Sequence, residues 1–450
     1  MKADKALERL QAGFANLPAA DQTYDRAAVE AVLNEVADRL RDNYPYFHPL
    51  YAGQMLKPPH PVARLAYELA LWINPNNHAL DGGRASSAME KEAVAALARM
   101  IGWGGGGGGG GDTHLGHLCG GGTMANLEAL WIAGQLHPGK TILASTQAHY
   151  THQRIAGVLG LAFETIPCDR AGRMDAHALE RRLAAGGVGT VVATLGTTAT
   201  GAVDPLDTIV DLKRRYDFRI HADAAYGGYF LLVTELAAET RRAFERIGEA
   251  ASVVIDPHKH GLQPYGCGCV LFRDPSVGRL YYHDSPYTYY TSTEMHLGEI
   301  SLECSRPGAA AVALWATQRL FPLVRDGAFA KGLASGRAAA LDLYERLRKD
   351  GRFVTGSAPE LDILVWAPRA KRVSDVSKLS QQIFAEAAQR QLHLAIVTLP
   401  VYLLDLQDIQ RDRDTIICLR SVLMKPEHRE WVDRIWSLLD EATSAAGVKH

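Results

Sequence analysis

Apolar and polar positions alternate between two periods from about residue 85 to residue 325. Segments with helical spacing of apolar residues are separated by short apolar runs that have the length of strands. The helical segments include SSAMEKEAVAALARMIG, TMANLEALWIAGQL and HQRIAGVLG, and the apolar runs include TILAST, FETIPC, TVVATLGT, RIHADAA, SVVIDPH and CVLFRD. This alternation predicts an α/β fold with a mostly parallel, doubly wound sheet. Functional residues are expected at the carboxyl ends of its strands.

The flanking regions follow other patterns. Residues 1–75 are predicted to form an N-terminal helical segment, and residues 76–325 the large sheet domain. Residues 326–450 show helix, strand, helix, strand, strand and helix, which predicts a small α+β domain. Eight glycines at 104–111 are typical of a loop, or stand for residues that were never assigned.

Composition and charge exclude several classes of protein. The 450 residues are 47% hydrophobic and 22% charged, which is typical of a globular protein rather than a disordered, collagen-like or coiled-coil chain. The net charge of −2 gives no sign of nucleic-acid or anionic-membrane binding, so a small-molecule partner is expected. Without an apolar run long enough for a membrane span or a signal peptide, a cytoplasmic location is expected. The six scattered cysteines are expected to be reduced.

Four features carry candidate chemistry. Lys259, in DPHKHG, follows the apolar strand SVVI, where a lysine can become a reactive amine. Asp223, in HADAAYGG, ends another strand and needs a cationic or hydrogen-bonding partner. GGGT at 120–123 opens a helix whose backbone N–H groups can bind a phosphate, and His149 in AHY can stack on a flat ring. Together these are the groups that pyridoxal phosphate requires.

With these groups in place, the chain resembles the group II pyridoxal-phosphate-dependent amino-acid decarboxylases, which include glutamate, aromatic-amino-acid and diaminobutyrate decarboxylases. The matching motifs are GGTMAN at 121–126, STQAHYT at 145–151, ATLGTT at 193–198, HADAAYGG at 221–228, SVVIDPHK at 252–259 and SR with GAAAVALW at 305–315. They occur in family order across about residues 75–325. The resemblance implies pyridoxal-phosphate fold type I, which is similar to aspartate aminotransferase.

The resemblance also implies roles for individual residues. Lys259 would form the Schiff base with the cofactor, Asp223 would face its pyridine nitrogen, and His149 and Ala225 would contact the two faces of its ring. The phosphate side of the site would consist of Gly121, Gly122, Thr123 and Asn126. Thr198 would lie near the ring, and His258 would contact the phosphate or the substrate carboxylate. Ser305 and Arg306 would reach the site, with a second subunit of a homodimer as their candidate origin.

The implied reaction is loss of the α-carboxylate of an L-amino acid as CO2. Similar decarboxylases carry a tyrosine that protonates the substrate carbon, and here Tyr287, followed by Tyr290, is the candidate in YYHDSPYTYYTS. These tyrosines are equally well interpreted as packing aromatics, and His149 is a second candidate proton donor. The alternative functions are an aminotransferase, a carbon–carbon lyase similar to sphingosine-phosphate lyases, or a non-catalytic protein with this fold.

Other polar residues have plainer interpretations. Cys267 and Cys269 are predicted as buried small side chains, and His114 and His117 as ordinary loop residues, so no metal site is proposed. Arg420 is either a ligand of the substrate carboxylate or part of a structural ion pair. The candidate lining of a substrate side-chain pocket is Tyr46, Phe47, His48, Tyr51 and His78, which favours an aromatic or similarly flat substrate.

Overall fold

The computed structural model describes residues 4–18, 24–104, 114–282 and 295–448. The α-helices in these ranges are α1 (Asp4–Ala12), α2 (Arg26–Leu40), α3 (Pro61–Leu71), α4 (Arg84–Met100), α5 (Gly122–Leu136), α6 (Thr151–Leu159), α7 (Ala176–Ala184), α8 (Leu206–Lys213), α9 (Ala238–Glu245), α10 (Gly308–Leu320), α11 (Ala328–Lys349), α12 (Val373–Gln389) and α13 (His428–Ala445). The strands are β1 (Leu115–Cys119), β2 (Thr141–Ser145), β3 (Phe163–Ile166), β4 (Val188–Thr194), β5 (Arg219–Asp223), β6 (Ser252–Ile255), β7 (Gly268–Phe272), β8 (Phe353–Thr355), β9 (Ile363–Pro368), β10 (Ala395–Pro400) and β11 (Thr415–Val422).

The large sheet has the order β1-β7-β6-β5-β4-β2-β3. Strands β2 to β6 pair in parallel, whereas β7 runs antiparallel to both β6 and β1. Its two faces are both covered, because Val253 and Ile255 of β6 pack into one apolar cluster and Val254 into another. The predicted fold type I architecture is confirmed, and the ends of β5 and β6 place Asp223 and the segment after Ile255 side by side.

The second sheet is smaller and antiparallel, in the order β10-β11-β9-β8. Helices α11, α12 and α13 contribute apolar side chains to the core that covers it, and Trp366 of β9 is fully buried there. The sheet lies within the residues 326–450 assigned to the small α+β domain. The two boundaries between the three predicted segments remain predictions.

The interpretation of His117 as a loop residue was wrong. His117 lies on β1, pairs with Val270 of β7, and is fully buried. Its Nε2 atom lies 2.9 Å from Oε2 of Glu128 on α5, so the histidine serves as a buried hydrogen-bonding partner. The short run LGHLC lies next to the glycine tract and has too few residues to show a strand period.

The two N-terminal helices are exposed in a way that bears on assembly. Helices α1 and α2 bury no residue in this chain. The exposed apolar residues of α2 are Val29, Val32, Leu33, Val36 and Leu40, which follow helical spacing along one stripe.

None of the helices in the described ranges combines the length and the apolar character that a membrane crossing demands.

Candidate active site

A pocket of about 550 Å³ opens where β2, β4, β5 and β6 end. The residues that line it are Gly120, Gly121, Gly122, Thr123, Met124, Asn126, Leu127, His149, Tyr150, Thr151, Thr194, Gly196, Thr198, Asp223, Ala225, Tyr226, Asp256, His258, Lys259 and Glu303. Of the twelve described residues to which the resemblance gives a role, ten line this pocket, and Ser305 and Arg306 do not. They come from chain segments that are far apart in sequence, and the order of the sheet brings them together.

The glycines before α5 leave a cradle open to an anion. Gly121 has φ +142°, a conformation that side chains rarely adopt, and a Cβ on Gly121 would lie 3.2 Å from Cε1 of His258. A Cβ on Gly122 would lie 2.6 Å from Oδ2 of Asp256. No side chain caps the start of α5, so its first-turn N–H groups and the positive end of its dipole face the pocket. This arrangement suits a phosphate group.

Asn126 is held rigidly beneath this cradle. Its Oδ1 atom accepts a hydrogen bond from Nε2 of His221 at 2.8 Å, and Nδ1 of His221 lies 2.9 Å from Oγ of Ser252. Burial lowers the pKa of His221 to about 3, so its ring is neutral and its tautomer matches these two bonds. The side chain of Asn126 thus has a fixed orientation at the pocket wall.

Asp223 places an ionised carboxylate at the end of β5. Its Oδ2 atom lies 2.8 Å from Nε2 of His152, and its Oδ1 atom accepts the backbone N–H of Ala225 at 3.2 Å. Burial raises the pKa of Asp223, but the hydrogen bond and charge of His152 and the charge of Lys259 outweigh it and hold the pKa well below its usual value. Such a carboxylate can keep a proton on a basic nitrogen of a ligand.

Lys259 presents a primary amine to the same pocket. Its Nζ atom lies 3.0 Å from Oδ2 of Asp256, a carboxylate that is only 2% exposed. The turn that follows β6 brings both side chains to the pocket, since Lys259 donates its backbone N–H to the carbonyl oxygen of Asp256. The ion pair offsets the cost of burying the carboxylate and holds the amine at a defined position.

Two neutral imidazoles border the pocket. Burial lowers the pKa of His149 and of His258 below the usual value, so both rings are uncharged near neutral pH. Nδ1 of His149 accepts the backbone N–H of Thr151 at 3.2 Å, and Nδ1 of His258 donates to the carbonyl oxygen of Cys267 at 2.9 Å. A neutral ring can stack on a flat ligand and can exchange a proton with it.

His152 and Asp256 are the site residues that sequence reasoning missed. His152 lies one helical turn after His149, and this spacing within AHYTHQ was a usable signal for a second inward-facing histidine. Its partner Asp223 is distant in sequence, so the contact itself was not predictable. Asp256 stood in the quoted motif DPHKHG, but only the fold shows that its carboxylate lies beside Lys259.

Some predicted residues lie elsewhere. Oγ of Ser305 accepts from Nδ2 of Asn76 at 3.0 Å, outside the pocket of this chain. Tyr287 and Tyr290 lie outside the described residues, as does most of the glycine tract. The expected side-chain pocket of Tyr46, Phe47, His48, Tyr51 and His78 does not form part of this lining.

Arg420 has a structural role through hydrogen bonds rather than through the predicted ion pair, since no carboxylate of the described residues lies within salt-bridge distance of it. It is buried and donates to the carbonyl oxygen of Thr198 at 2.7 Å and to Oε1 of Gln54 at 2.9 Å. These bonds tie the loop after β4 to the chain that precedes α3. Arg420 therefore positions Thr198 from behind and is not part of the pocket lining.

Comparison with known proteins gives concordant results. The model of the family described as the pyridoxal-dependent decarboxylase conserved domain matches residues 45–365. An L-tyrosine decarboxylase of Enterococcus faecium is 27% identical over 463 aligned positions, covering 78% of this chain and 74% of the relative. A probable L-aspartate decarboxylase of Halobacterium salinarum is 32% identical over 267 positions, covering 58% and 70%. The crystal structure of Oryza sativa TDC with PLP and tryptamine aligns with a TM-score of 0.78 at 18% identity, covering 98% of this chain and 92% of that one, a likeness of fold.

Proposed function

Because the chain belongs to the pyridoxal-dependent decarboxylase family, we propose that it removes the α-carboxylate of an aromatic L-amino acid through a cofactor bound to Lys259. Membership makes the chain a pyridoxal-phosphate-dependent carboxy-lyase that acts on amino acids. The identity of the lysine, the roles of the other side chains and the aromatic preference are our proposals. Membership of this family argues against the aminotransferase, carbon–carbon lyase and non-catalytic alternatives.

The described residues fit pyridoxal phosphate. The uncapped start of α5 and the space above Gly121 and Gly122 suit its phosphate, since a Cβ at either glycine would close the cradle. Ionised Asp223 suits its pyridine nitrogen, and the amine of Lys259 suits its aldehyde. When bound, the cofactor supplies an electron-withdrawing ring that stabilises negative charge at the substrate carbon.

The single observation that carries the proposal is the shared pocket of Lys259, Asp223, His149 and the start of α5. Each of these features alone has an ordinary structural explanation. An amine, an ionised carboxylate, a neutral imidazole and an open anion cradle in one cavity meet the separate requirements of one cofactor. The conjunction supports a pyridoxal-phosphate site, and membership of the decarboxylase family supports decarboxylation as its reaction.

In this proposal the chain's own residues divide the work. Asp223 keeps the ring nitrogen protonated, and His152 keeps Asp223 ionised. His149 and Ala225 would border the two faces of the cofactor's ring. The amine of Lys259 would hold the cofactor when no substrate is bound, and its pairing with Asp256 keeps that amine in place when it is free. Tyr287 or His149 delivers the proton that replaces the lost carboxylate.

The charges around the pocket support an uncharged substrate side chain. Among the described lining residues, Asp223, Asp256 and Glu303 are acidic, and Lys259 is the one lysine or arginine. A second carboxylate on the substrate would find no cation of its own and would meet these acids. Tyr150, Tyr226 and Met124 instead offer aromatic and apolar surface. Because relatives are named as tyrosine and as aspartate decarboxylases, the choice between an aromatic and an acidic substrate is the one to test.

The direct test is a kinetic comparison of L-tyrosine with L-aspartate as substrates of the holoenzyme. We expect kcat/KM for release of the amine to favour L-tyrosine by at least about tenfold. A tenfold ratio corresponds to about 1.4 kcal/mol, and an unpaired substrate carboxylate beside like charges costs at least about that much. A preference for L-aspartate would show that the aromatic assignment is wrong. It would leave the assignment of Lys259 and the cofactor intact.

His152 provides a separate prediction. In His152→Leu, Oδ2 of Asp223 loses its hydrogen bond and a charge partner, so the pKa of Asp223 rises. Since a depressed pKa preserves the carboxylate at low pH, raising it moves the acidic fall in kcat/KM to higher pH. We expect a loss of about tenfold at neutral pH, consistent with a hydrogen bond to a charged group. His152→Gln keeps an N–H donor and should retain most activity; equal loss in both variants would contradict this role.

A homodimer is the proposed assembly. The apolar stripe of α2 has no cover within the chain, and apolar surface of this kind is buried in stable assemblies. Ser305, which lies outside the chain's own pocket, is proposed to contact the site of the second subunit. Analytical ultracentrifugation of the full chain tests this proposal, and a monomer at micromolar concentration would contradict it.

A further inference from the structure

A second cavity, of about 270 Å³, lies next to the segment that carries Lys259. His258 and Lys259 line the active-site pocket, whereas His260 and Leu262 line this cavity. Its remaining wall is mostly apolar and includes Phe47, Pro58, Pro59, Phe321, Phe329 and Met424. The two cavities therefore have separate linings along one short stretch of chain.

Two lysines enter this apolar wall without a carboxylate partner. Nζ of Lys57 donates to the carbonyl oxygen of Met424 at 3.3 Å, and Nζ of Lys425 donates to that of Tyr51 at 2.7 Å. Within the described ranges, neither ammonium group has an acidic oxygen within 4.0 Å, although Glu427 also lines the cavity. Lys425 is only 4% exposed. Nζ of Lys425 also lies 5.3 Å from the centre of the Tyr51 ring, but neither lysine has a directly contacting anion, the partner that best offsets burial of an ammonium group.

The protonation state of the two lysines determines how much positive charge lines the cavity. Burial lowers the pKa of each to about 8, and the charge of Lys57 further lowers that of Lys425, so both remain mainly protonated at neutral pH. More distant carboxylates, Asp362 and Glu427, act on Lys57 in the opposite direction. Asp362 and Glu427 offset the two cations only from a distance, so direct contact with an ammonium group remains available to a monoanionic ligand.

The nearby histidines add no positive charge to the cavity. Nε2 of His260 lies 3.3 Å from Oδ2 of Asp362, and burial lowers the pKa of His260 well below its usual value. His260 is thus a neutral wall residue. His60, which also lines the cavity, likewise has a pKa lowered by burial. What the described residues do not provide at this place is a carboxylate in direct contact with Lys57 or Lys425.

We propose that this cavity is a binding site for a small carboxylic acid with an apolar or aromatic body, whose carboxylate lies between Lys57 and Lys425. The volume allows such a ligand, since an engineered cavity of about 150 Å³ admits benzene. The phenylalanine and proline side chains cover the body of the ligand, and each ammonium group gains a charge-assisted hydrogen bond. The site is distinct from the decarboxylation pocket.

The test uses benzoate as the probe with the holoenzyme, measured by isothermal titration calorimetry. We expect one benzoate bound per chain and an affinity at least about tenfold weaker in Lys57→Met and in Lys425→Met, because each removes a charged hydrogen bond. Lys331→Met is the matched control, since Lys331 is exposed and outside the cavity lining. Benzamide, the neutral analogue, should bind far more weakly. Affinity for benzoate should fall as pH rises through about 8, where the lysines lose their protons.

Melting temperature and bound cofactor establish that each variant is folded. Lys57 is less buried than Lys425, so its variant serves even where Lys425→Met does not fold. Benzoate bound only in the active-site pocket would be insensitive to both lysine variants. That result, or no binding to the wild-type protein at millimolar concentration, would overturn the proposal.

Discussion

Replacing Lys259 with alanine is expected to abolish covalent cofactor attachment and to lower kcat/KM by at least about a thousandfold. Lys259 supplies the one primary amine among the described residues that line the pocket. Without it, neither the resting linkage nor the release of product by the lysine amine can occur. Intact-mass analysis after borohydride reduction measures the linkage, and amine release measures the rate.

The controls for this variant separate chemistry from folding. Lys213→Ala removes an exposed lysine at the end of α8 and should retain both cofactor and activity. An Lys259→Ala protein that is folded but carries no reducible adduct supports the assignment. An adduct of unchanged mass in this variant would show that a different lysine binds the cofactor.

Asp223→Asn is expected to lower kcat by about a hundredfold to a thousandfold, the effect of removing a preorganised charge from a buried site. Asparagine keeps the shape of the side chain but cannot stabilise a proton on the ring nitrogen. It also leaves Nε2 of His152 facing a neutral amide in place of a carboxylate. Steady-state kinetics and the absorbance spectrum of the bound cofactor measure the two consequences.

The pH dependence adds a second readout for Asp223. Because its pKa is held well below the usual value, wild-type activity should not fall with Asp223 protonation anywhere near neutral pH. Asp217→Asn, at an exposed position outside the pocket, is the matched control and should behave as the wild type. Asp223→Asn with more than half of wild-type kcat would contradict the proposed role.

Much of the fold and most of the site could be predicted because their signals are local. Apolar runs of four to seven residues located the central strands, and the polar residues directly after those runs located Lys259 and His149. Asp223 itself ends β5. Parallel strands bring such ends to one edge of a sheet, so proximity followed from the fold class. The glycines before α5 were predictable for the same reason.

The remainder depends on contacts between distant segments. The pairing of His152 with Asp223 joins α6 to β5, and the placement of Arg420 joins β11 to the loop at Thr198. The aromatic segment around Tyr51 was expected at the active site, yet Tyr51 forms an isolated bridge with His393 in the small domain region. No local pattern encodes such choices, because they are settled by tertiary packing.

The second cavity likewise could not be predicted from the sequence. Lys57 and Lys425 are ordinary charged residues in the sequence, and each is followed by a proline that suggests a loop. Only the fold brings them to one apolar cavity behind His260. Their separation of several hundred residues hides any functional signal from the sequence.

The most direct test of the central claim is mass-spectrometric product analysis of the holoenzyme incubated with L-tyrosine. We predict tyramine and CO2 in equal amounts, formed without an added amino acceptor and lost in Lys259→Ala. Formation of the corresponding keto acid only with an acceptor would contradict decarboxylation and favour an aminotransferase. Absence of any amine from L-tyrosine or from the other common L-amino acids, with the cofactor still attached to Lys259, would contradict the proposed reaction altogether.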